Sequence, residues 1–179
     1  QFINASTAIA CVSHLSGFKI HDANFRNGIA NAKWQGRLQY IRDGSFRKKI
    51  SGNWQLWIDG AHNEGGARVL SAWLADQDTT YINVMIMGMT KNRDIESFIR
   101  HFIGNVDYVI GVPVYSEPMS YKGEYVRSCL EKLGIACAAS DGLLEAFDAL
   151  VKKYSNKKVR VLVTGSLFLV ADFFVANNA

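Results

Sequence analysis

Cysteine is scarce in this chain of 179 residues, and the three present, Cys11, Cys129 and Cys137, are odd in number and form no CxxC pair. That excludes a disulfide framework and a structural zinc site, and makes a reducing cytoplasm the simplest compartment. The pattern GxxxxGKS/T is absent as well, so the chain lacks the lysine and hydroxyl with which such a loop grips β/γ-phosphates and magnesium. No apolar run is clean enough to span a membrane. Val159 to Val175 comes nearest, but Arg160, Thr164, Gly165, Ser166 and Asp172 interrupt it, and a strand followed by a helix explains it better. His14, His21 and His101 have no partner at ligand spacing and read as surface or helix residues. Internal repeats and low-complexity tracts are also missing, and no targeting segment is expected from these residues. Basic residues exceed acidic ones by only a net charge of +4, and apart from Arg47-Lys48-Lys49 and Lys157-Lys158 they are dispersed. The balance could suggest nucleic acid, but with the charges so dispersed a polyanionic small molecule suits it equally well.

What is present is enough for a substantial core, at 49% hydrophobic and 20% charged. Residues 1–32 read as helical: Ala5, Ile9, Val12 and Leu15 make one face, Gly17 stops it, and a second short helix is expected from Asp22 to Ala30. After Trp34 strand patterns appear at Gly36 to Ile41, Gln55 to Asp59, Tyr81 to Met87, Val106 to Val112, Ile135 to Ala138 and Val159 to Val163. Helical spacing fills the gaps, in Ala67, Leu70, Trp73 and Leu74, then Ile95, Phe98, Ile99 and Phe102, then Val126, Cys129, Leu130 and Leu133, then Leu143, Phe147, Leu150 and Val151. Apolar strands alternating with amphipathic helices predict an α/β fold with a mostly parallel sheet and helices on both faces.

The most informative stretch is Asp59-Gly60-Ala61-His62-Asn63, a carboxylate, an imidazole and small residues where a strand gives way to a helix. Ligands of open α/β sheets lie beyond such strand ends, where helix N-termini present free donors. Asp59 suits a ligand's hydroxyls and His62 an anionic oxygen. A plainer reading makes Asn63 a helix cap, Glu64 a complement to the helix dipole and Gly60 a relief of backbone strain. Both Asp59 and His62 are expected on an exposed turn, so their removal should cost little stability. Arg37 follows Gly36, which lets the backbone come close while the guanidinium forks onto a phosphate, against the alternative of an ordinary edge-strand arginine. Thr164-Gly165-Ser166 follows a strand, with Ser166 opening the last helix. A competing dinucleotide-binding unit starting at Val161 is not expected, since the thirteen residues after Ser166 are too few for its crossover and ribose-binding acid.

Taken in order, Asn4-Ala5, Trp34-Gln35-Gly36-Arg37-Leu38-Gln39, Asp59 to Asn63 and Val163-Thr164-Gly165-Ser166-Leu167-Phe168 resemble the C-terminal part of a folylpolyglutamate synthase or bifunctional dihydrofolate synthase of the Mur ligase superfamily. The likeness covers nearly the whole chain. Departures are Gln35 and Glu64 where the family usually has proline, a longer stretch from Asp43 to Asn53, and Arg93 in Lys91 to Asp94 where lysine is commoner.

The resemblance implies a Rossmann-like Mur ligase C-terminal domain over 33–179, with 1–32 the helical tail of a preceding central ATP-binding domain. It implies ATP contacts from Asn4, Arg37, Asp59 and His62, catalysis by Asp59 and His62, and glutamate binding near Ser166. The whole enzyme would use ATP and Mg2+ to phosphorylate a carboxyl of dihydropteroate or folate before L-glutamate attacks. This chain would be inactive alone, since the P-loop and most metal ligands would lie in that central domain, its partner. The expected protein is a cytoplasmic monomer that meets neither nucleic acid nor membrane. Alternatives are a stand-alone nucleotide-binding module without catalysis, and the C-terminal domain of a muramyl-peptide ligase.

Overall fold

A computed structural model describes residues 2–178 of the chain. It divides into two compact units, Gln1–Gln35 and Gly36–Ala179. The first contains α1 (Phe2–Ser13) and α2 (Asp22–Asn31). His21 and Asn24 form a reciprocal cap at the start of α2, which buries no residue.

The second unit is built on six strands, β1 (Gln39–Tyr40), β2 (Gln55–Ile58), β3 (Ile82–Met87), β4 (Tyr108–Gly111), β5 (Cys137–Ala139) and β6 (Val159–Thr164). They lie in the order β1-β2-β6-β3-β4-β5, with β1 antiparallel to β2 and every other pairing parallel. The helices are α3 (Ser45–Lys49), α4 (Glu64–Ala75), α5 (Ile95–Ile99) continued by a 3-10 turn at Arg100–Phe102, α6 (Gly123–Lys132), α7 (Leu143–Tyr154) and α8 (Leu167–Asn177). Alternation along the strands sends Leu56, Ile58, Val84, Ile86, Val161 and Val163 to one core, which they share with Phe46, Phe147, Leu169 and Phe173 from α3, α7 and α8. Met85, Met87, Val109 and Leu162 join Ala67, Leu70, Phe98, Val126 and Leu130 from α4, α5 and α6 on the other face. Both faces of the sheet are therefore covered, as near-continuous apolar strands require.

The strand expected over Gly36 to Ile41 shrinks to the two residues of β1, because Gly36 (φ +69°) and Leu38 (φ +43°) hold left-handed backbone that no ladder accepts. The stretch from Asp43 to Asn53 contains α3, which periodicity missed in so short a helix. Asn177 pins it, accepting from the Phe46 N–H at 3.1 Å and donating to the Asp43 carbonyl at 3.0 Å. Val159 to Val175 resolves into β6, a turn and α8, and no helix among the described residues is long and apolar enough to cross a membrane.

At the amino end of the sheet Arg160, 1% exposed, donates to Gln55 Oε1 at 2.9 Å, Asn83 Oδ1 at 2.7 Å and the Asp78 carbonyl at 3.3 Å, under the Tyr81 ring at 4.8 Å. Replacing it by methionine fills the space but strips Asn83 Oδ1 of this donor and leaves Gln55 Oε1 and the Asp78 carbonyl with only the longer bonds from Trp57 Nε1–H at 3.3 Å and Tyr81 N–H at 3.4 Å. Arg160→Met should therefore destabilise by about 2 kcal/mol, the scale of buried groups left unpaired, as measured by urea denaturation.

Candidate active site

The chain order places β2 and β6 side by side while their following helices pack on opposite faces, α4 on one and α8 on the other. Where helices leave adjacent strands in opposite directions, a crevice opens beyond the strand ends. Asp59 to Asn63 leaves β2 at this point and Thr164 to Ser166 leaves β6. The two turns are zipped together: Asp59 N–H donates to the Val163 carbonyl at 3.0 Å and Gly165 N–H to the Ala61 carbonyl at 3.0 Å. A third segment closes the crevice, as Gly60 N–H donates to the Gly36 carbonyl at 2.8 Å. Arg37, Asp59, His62 and Ser166, distant in sequence, are thus carried on three joined turns.

Asp59 is half-buried, and both its oxygens are occupied by backbone. Oδ2 accepts from Leu38 N–H at 2.6 Å and Oδ1 from Ala61 N–H at 2.7 Å. Burial pushes its carboxyl above the ordinary carboxylate range, against the opposing pull of those two N–H groups and of the charges on Arg37 and His62. The expectation that Asp59 could be removed at little cost to stability is thereby overturned, because its carboxylate joins two turns.

His62 Nδ1 lies 2.9 Å from the Gly60 carbonyl. A carbonyl only accepts, so Nδ1 carries the proton in this contact and Nε2 is the nitrogen left for a ligand. Arg37 is exposed on the turn before β1 and makes no ion pair among the described residues. An unpaired guanidinium and an imidazole carried on turns at the strand ends fit an anion such as a nucleotide's phosphates. No three His, Cys, Asp or Glu side chains cluster among the described residues.

Ser166 is buried and its Oγ accepts from Phe168 N–H at 3.1 Å, so it caps α8. Asn63 caps α4, accepting from Gly66 N–H at 2.9 Å. Asn4 lies in the first turn of α1, on the helical unit. Lys91 to Asp94 follows β3, with Asp94 capping α5 through Ser97 N–H at 3.1 Å.

Gly60 does not relieve strain, since its φ is not among the positive ones; its need is steric, because a Cβ there would sit 2.3 Å from Leu167 Cδ2. Gly165 combines both constraints: its φ is +109° and a Cβ would lie 2.7 Å from the Gly88 carbonyl oxygen. Gly165→Ala should cost about 2 kcal/mol, the scale of a forced left-handed residue against fixed backbone, read as a lowered thermal midpoint.

Gln39, quoted above only as part of a motif, enters the site through its side chain, which accepts from Gly36 N–H at 2.9 Å. A glutamine three residues after a glycine is the one sequence signal for this bond. Leu38 in left-handed backbone had none.

The family model for the C-terminal domain of dihydrofolate synthetase matches residues 42–176. A probable dihydrofolate synthetase of Schizosaccharomyces pombe is 22% identical over 96% of this chain and 41% of its own length. The dihydrofolate synthase/folylpolyglutamate synthase of Escherichia coli is 26% identical over 94% of this chain and 36% of its own. Among solved structures, E. coli FolC in complex with DHPP and ADP superposes with a TM-score of 0.74 at 26% identity, covering 96% of this chain and 38% of that one. A bifunctional folylpolyglutamate synthase/dihydrofolate synthase with Mn, AMPPNP and L-glutamate bound gives 0.73, also at 26% identity, over 97% of this chain and 38% of that one. The chain thus spans about two fifths of the length of these relatives, and with three quarters of its residues matched by that model and its sheet shared with FolC, it belongs to the dihydrofolate synthetase C-terminal domain family.

Proposed function

We propose that this chain is the C-terminal part of an ATP-dependent ligase that adds L-glutamate to dihydropteroate or folate. The observation that carries the reading is the convergence of Arg37 and His62 with the Asp59 tie on three joined turns at one strand-end crevice. The relatives support it, since FolC of E. coli was solved with DHPP and ADP and a bifunctional relative with Mn, AMPPNP and L-glutamate.

In this reaction a carboxylate oxygen of the pteroate or folate attacks the γ-phosphorus of ATP and ADP leaves. The glutamate amine then attacks the resulting acyl phosphate carbon, loses its proton and expels phosphate. Arg37 holds the nucleotide's phosphates by forked hydrogen bonds. His62, with Nδ1 committed to Gly60, offers Nε2 to an oxygen of the moving phosphoryl group, where a directed donor is worth most. Asp59 lies at the nucleotide and keeps both turns in place. Ser166, at the start of α8, lies near the incoming glutamate, and Asn4 is a further nucleotide contact in this proposal.

Residues 1–32 are, in this proposal, the tail of a central domain that supplies the P-loop, Mg2+ ligands and general base. The exposed apolar side chains of Ile3, Leu15, Phe18 and Ile29 support a further covering layer. Closure of two parts around the acyl phosphate would exclude water that would hydrolyse it. A monomer in the cytoplasm, as the free cysteines suit, completes the picture.

The full-length protein should incorporate labelled glutamate into dihydropteroate or folate when given ATP and Mg2+. Purified 1–179 should fold and show no ATP hydrolysis. Robust magnesium-dependent hydrolysis by 1–179, or a full-length protein without GxxxxGKS/T, would overturn the reading.

A further inference from the structure

Arg37 is the apex of a turn whose two flanks are both left-handed, Gly36 at φ +69° and Leu38 at φ +43°. Leu38 is the one non-glycine residue with positive φ among the described residues. A bulky side chain rarely adopts this conformation, which persists where the surroundings over-determine it and gathers at functional sites.

The surroundings here are explicit. Gly36 N–H donates to Gln39 Oε1 at 2.9 Å, and the Gly36 carbonyl accepts from Gly60 N–H at 2.8 Å. Val170 closes beneath Gly36, where a Cβ would come within 2.5 Å of Val170 Cγ1. Leu38 N–H donates to Asp59 Oδ2 at 2.6 Å, while Asp59 Oδ1 is held by Ala61 N–H at 2.7 Å. The ties to Gln39, Gly60 and Asp59 Oδ2 fall on the residues either side of Arg37, whose own side chain is exposed and without an ion pair among the described residues. Such a turn fixes a cation in direction while leaving it free to meet an outside anion.

Gln39 is the residue that closes the turn upon itself. It begins the edge strand β1, opposite Ile58, so the ladder is served by its backbone and the side chain is free for another task. A polar side chain that spends its carbonyl oxygen on a backbone donor three residues earlier reproduces the geometry of a turn. We infer that Gln39 is a positioning residue that, with Asp59, holds the Gly36-Arg37-Leu38 turn so that the Arg37 guanidinium is aimed at the phosphates of a bound nucleotide. The inference rests on the nucleotide reading of Arg37 given above. Pre-set geometry of this kind acts through the residue it aims, because an arginine free to wander must be re-ordered at each binding event.

The test is a double-mutant cycle in the full-length protein, with ATP as the varied substrate and glutamate incorporation as the readout. Gln39→Leu should raise KM for ATP about tenfold with a smaller change in kcat. Gln39→Glu, which keeps the acceptor oxygen, should recover most of that loss. Arg37→Ala should raise KM for ATP further, and Arg37→Ala/Gln39→Leu should be no worse than Arg37→Ala alone within about twofold, since nothing remains to be aimed. Losses that multiply in the double variant, a silent Gln39→Leu, or a Gln39→Glu as impaired as Gln39→Leu would each overturn the positioning role while leaving the proposed ligase intact. An Arg37→Ala protein with unchanged kinetics would remove the nucleotide reading of Arg37 and this inference with it.

Discussion

His62→Ala in the full-length protein is expected to lower ligase turnover at least about a hundredfold, the scale seen when one directed contact to developing charge is removed, while the thermal midpoint moves by no more than about 2 °C. The separation of the two effects follows from the position of the ring. His62 is half-buried on a turn beyond β2, belongs to neither core, and makes one hydrogen bond among the described residues, from Nδ1 to the Gly60 carbonyl at 2.9 Å. Losing that single partly exposed bond costs little. The chemistry loses much more, because Nε2 is then missing from the crevice where the proposal puts the phosphoryl group. Since Nδ1–H is already committed, Nε2 can donate only when the ring carries both protons. Near-normal turnover of His62→Ala at saturating ATP and glutamate would reduce the ring to a brace for the Gly60 carbonyl and sink the assignment.

Which features could be read from the residues follows from how local their causes are. The strands β2, β3 and β6 came out within a residue or two of their expected ends, because alternation and β-branched content are properties of the strand itself. The helices α4, α6 and α7 show their apolar faces in the same way. By contrast α3 exists because Asn177, more than a hundred residues away, clamps Asp43 and Phe46, and five residues carry too little period to announce themselves. The truncation of β1 depends on Leu38 adopting φ +43°, which Asp59 holds from the end of the neighbouring strand β2. In the site, Asp59 to Asn63 stood out as an unusual run of chemical groups, yet the partner of each Asp59 oxygen is backbone, which no motif displays. The position of Ser166 at the opening of the last helix is legible in the sequence, and its bond to Phe168 N–H makes it the cap of α8. Gly60 was assigned a conformational reason where the reason is Leu167 pressed against it.

Asp59 is where structure and chemistry are hardest to separate, and its replacement should affect both. Asp59→Ala strands two partly buried N–H donors, those of Leu38 and Ala61. Hydrogen bonds to a charged acceptor are worth roughly 1.5–3 kcal/mol each, and the burial of the carboxylate returns part of that when it is removed. A net loss of about 3 kcal/mol is expected, roughly 6–12 °C in thermal midpoint for a chain of this size, together with a fall in turnover of at least about a hundredfold. Asp59→Asn retains one acceptor oxygen and turns an NH2 group toward the other donor, so it should recover stability only in part.

The pH dependence carries its own sign. Burial raises the Asp59 carboxyl in the folded chain, so the folded state holds the proton more tightly than the unfolded one, whose value is near 4. The stability linked to that proton is fully present below the unfolded value and is lost as pH rises through the folded one. The wild-type advantage over Asp59→Asn should therefore shrink as pH rises from about 4 through the folded value, then level off, in parallel urea titrations. An advantage that grows over that range would mean the two backbone donors outweigh burial. An Asp59→Ala protein melting within a degree or so of wild type would mean that the turns hold without their carboxylate, leaving ligand contact as its remaining task.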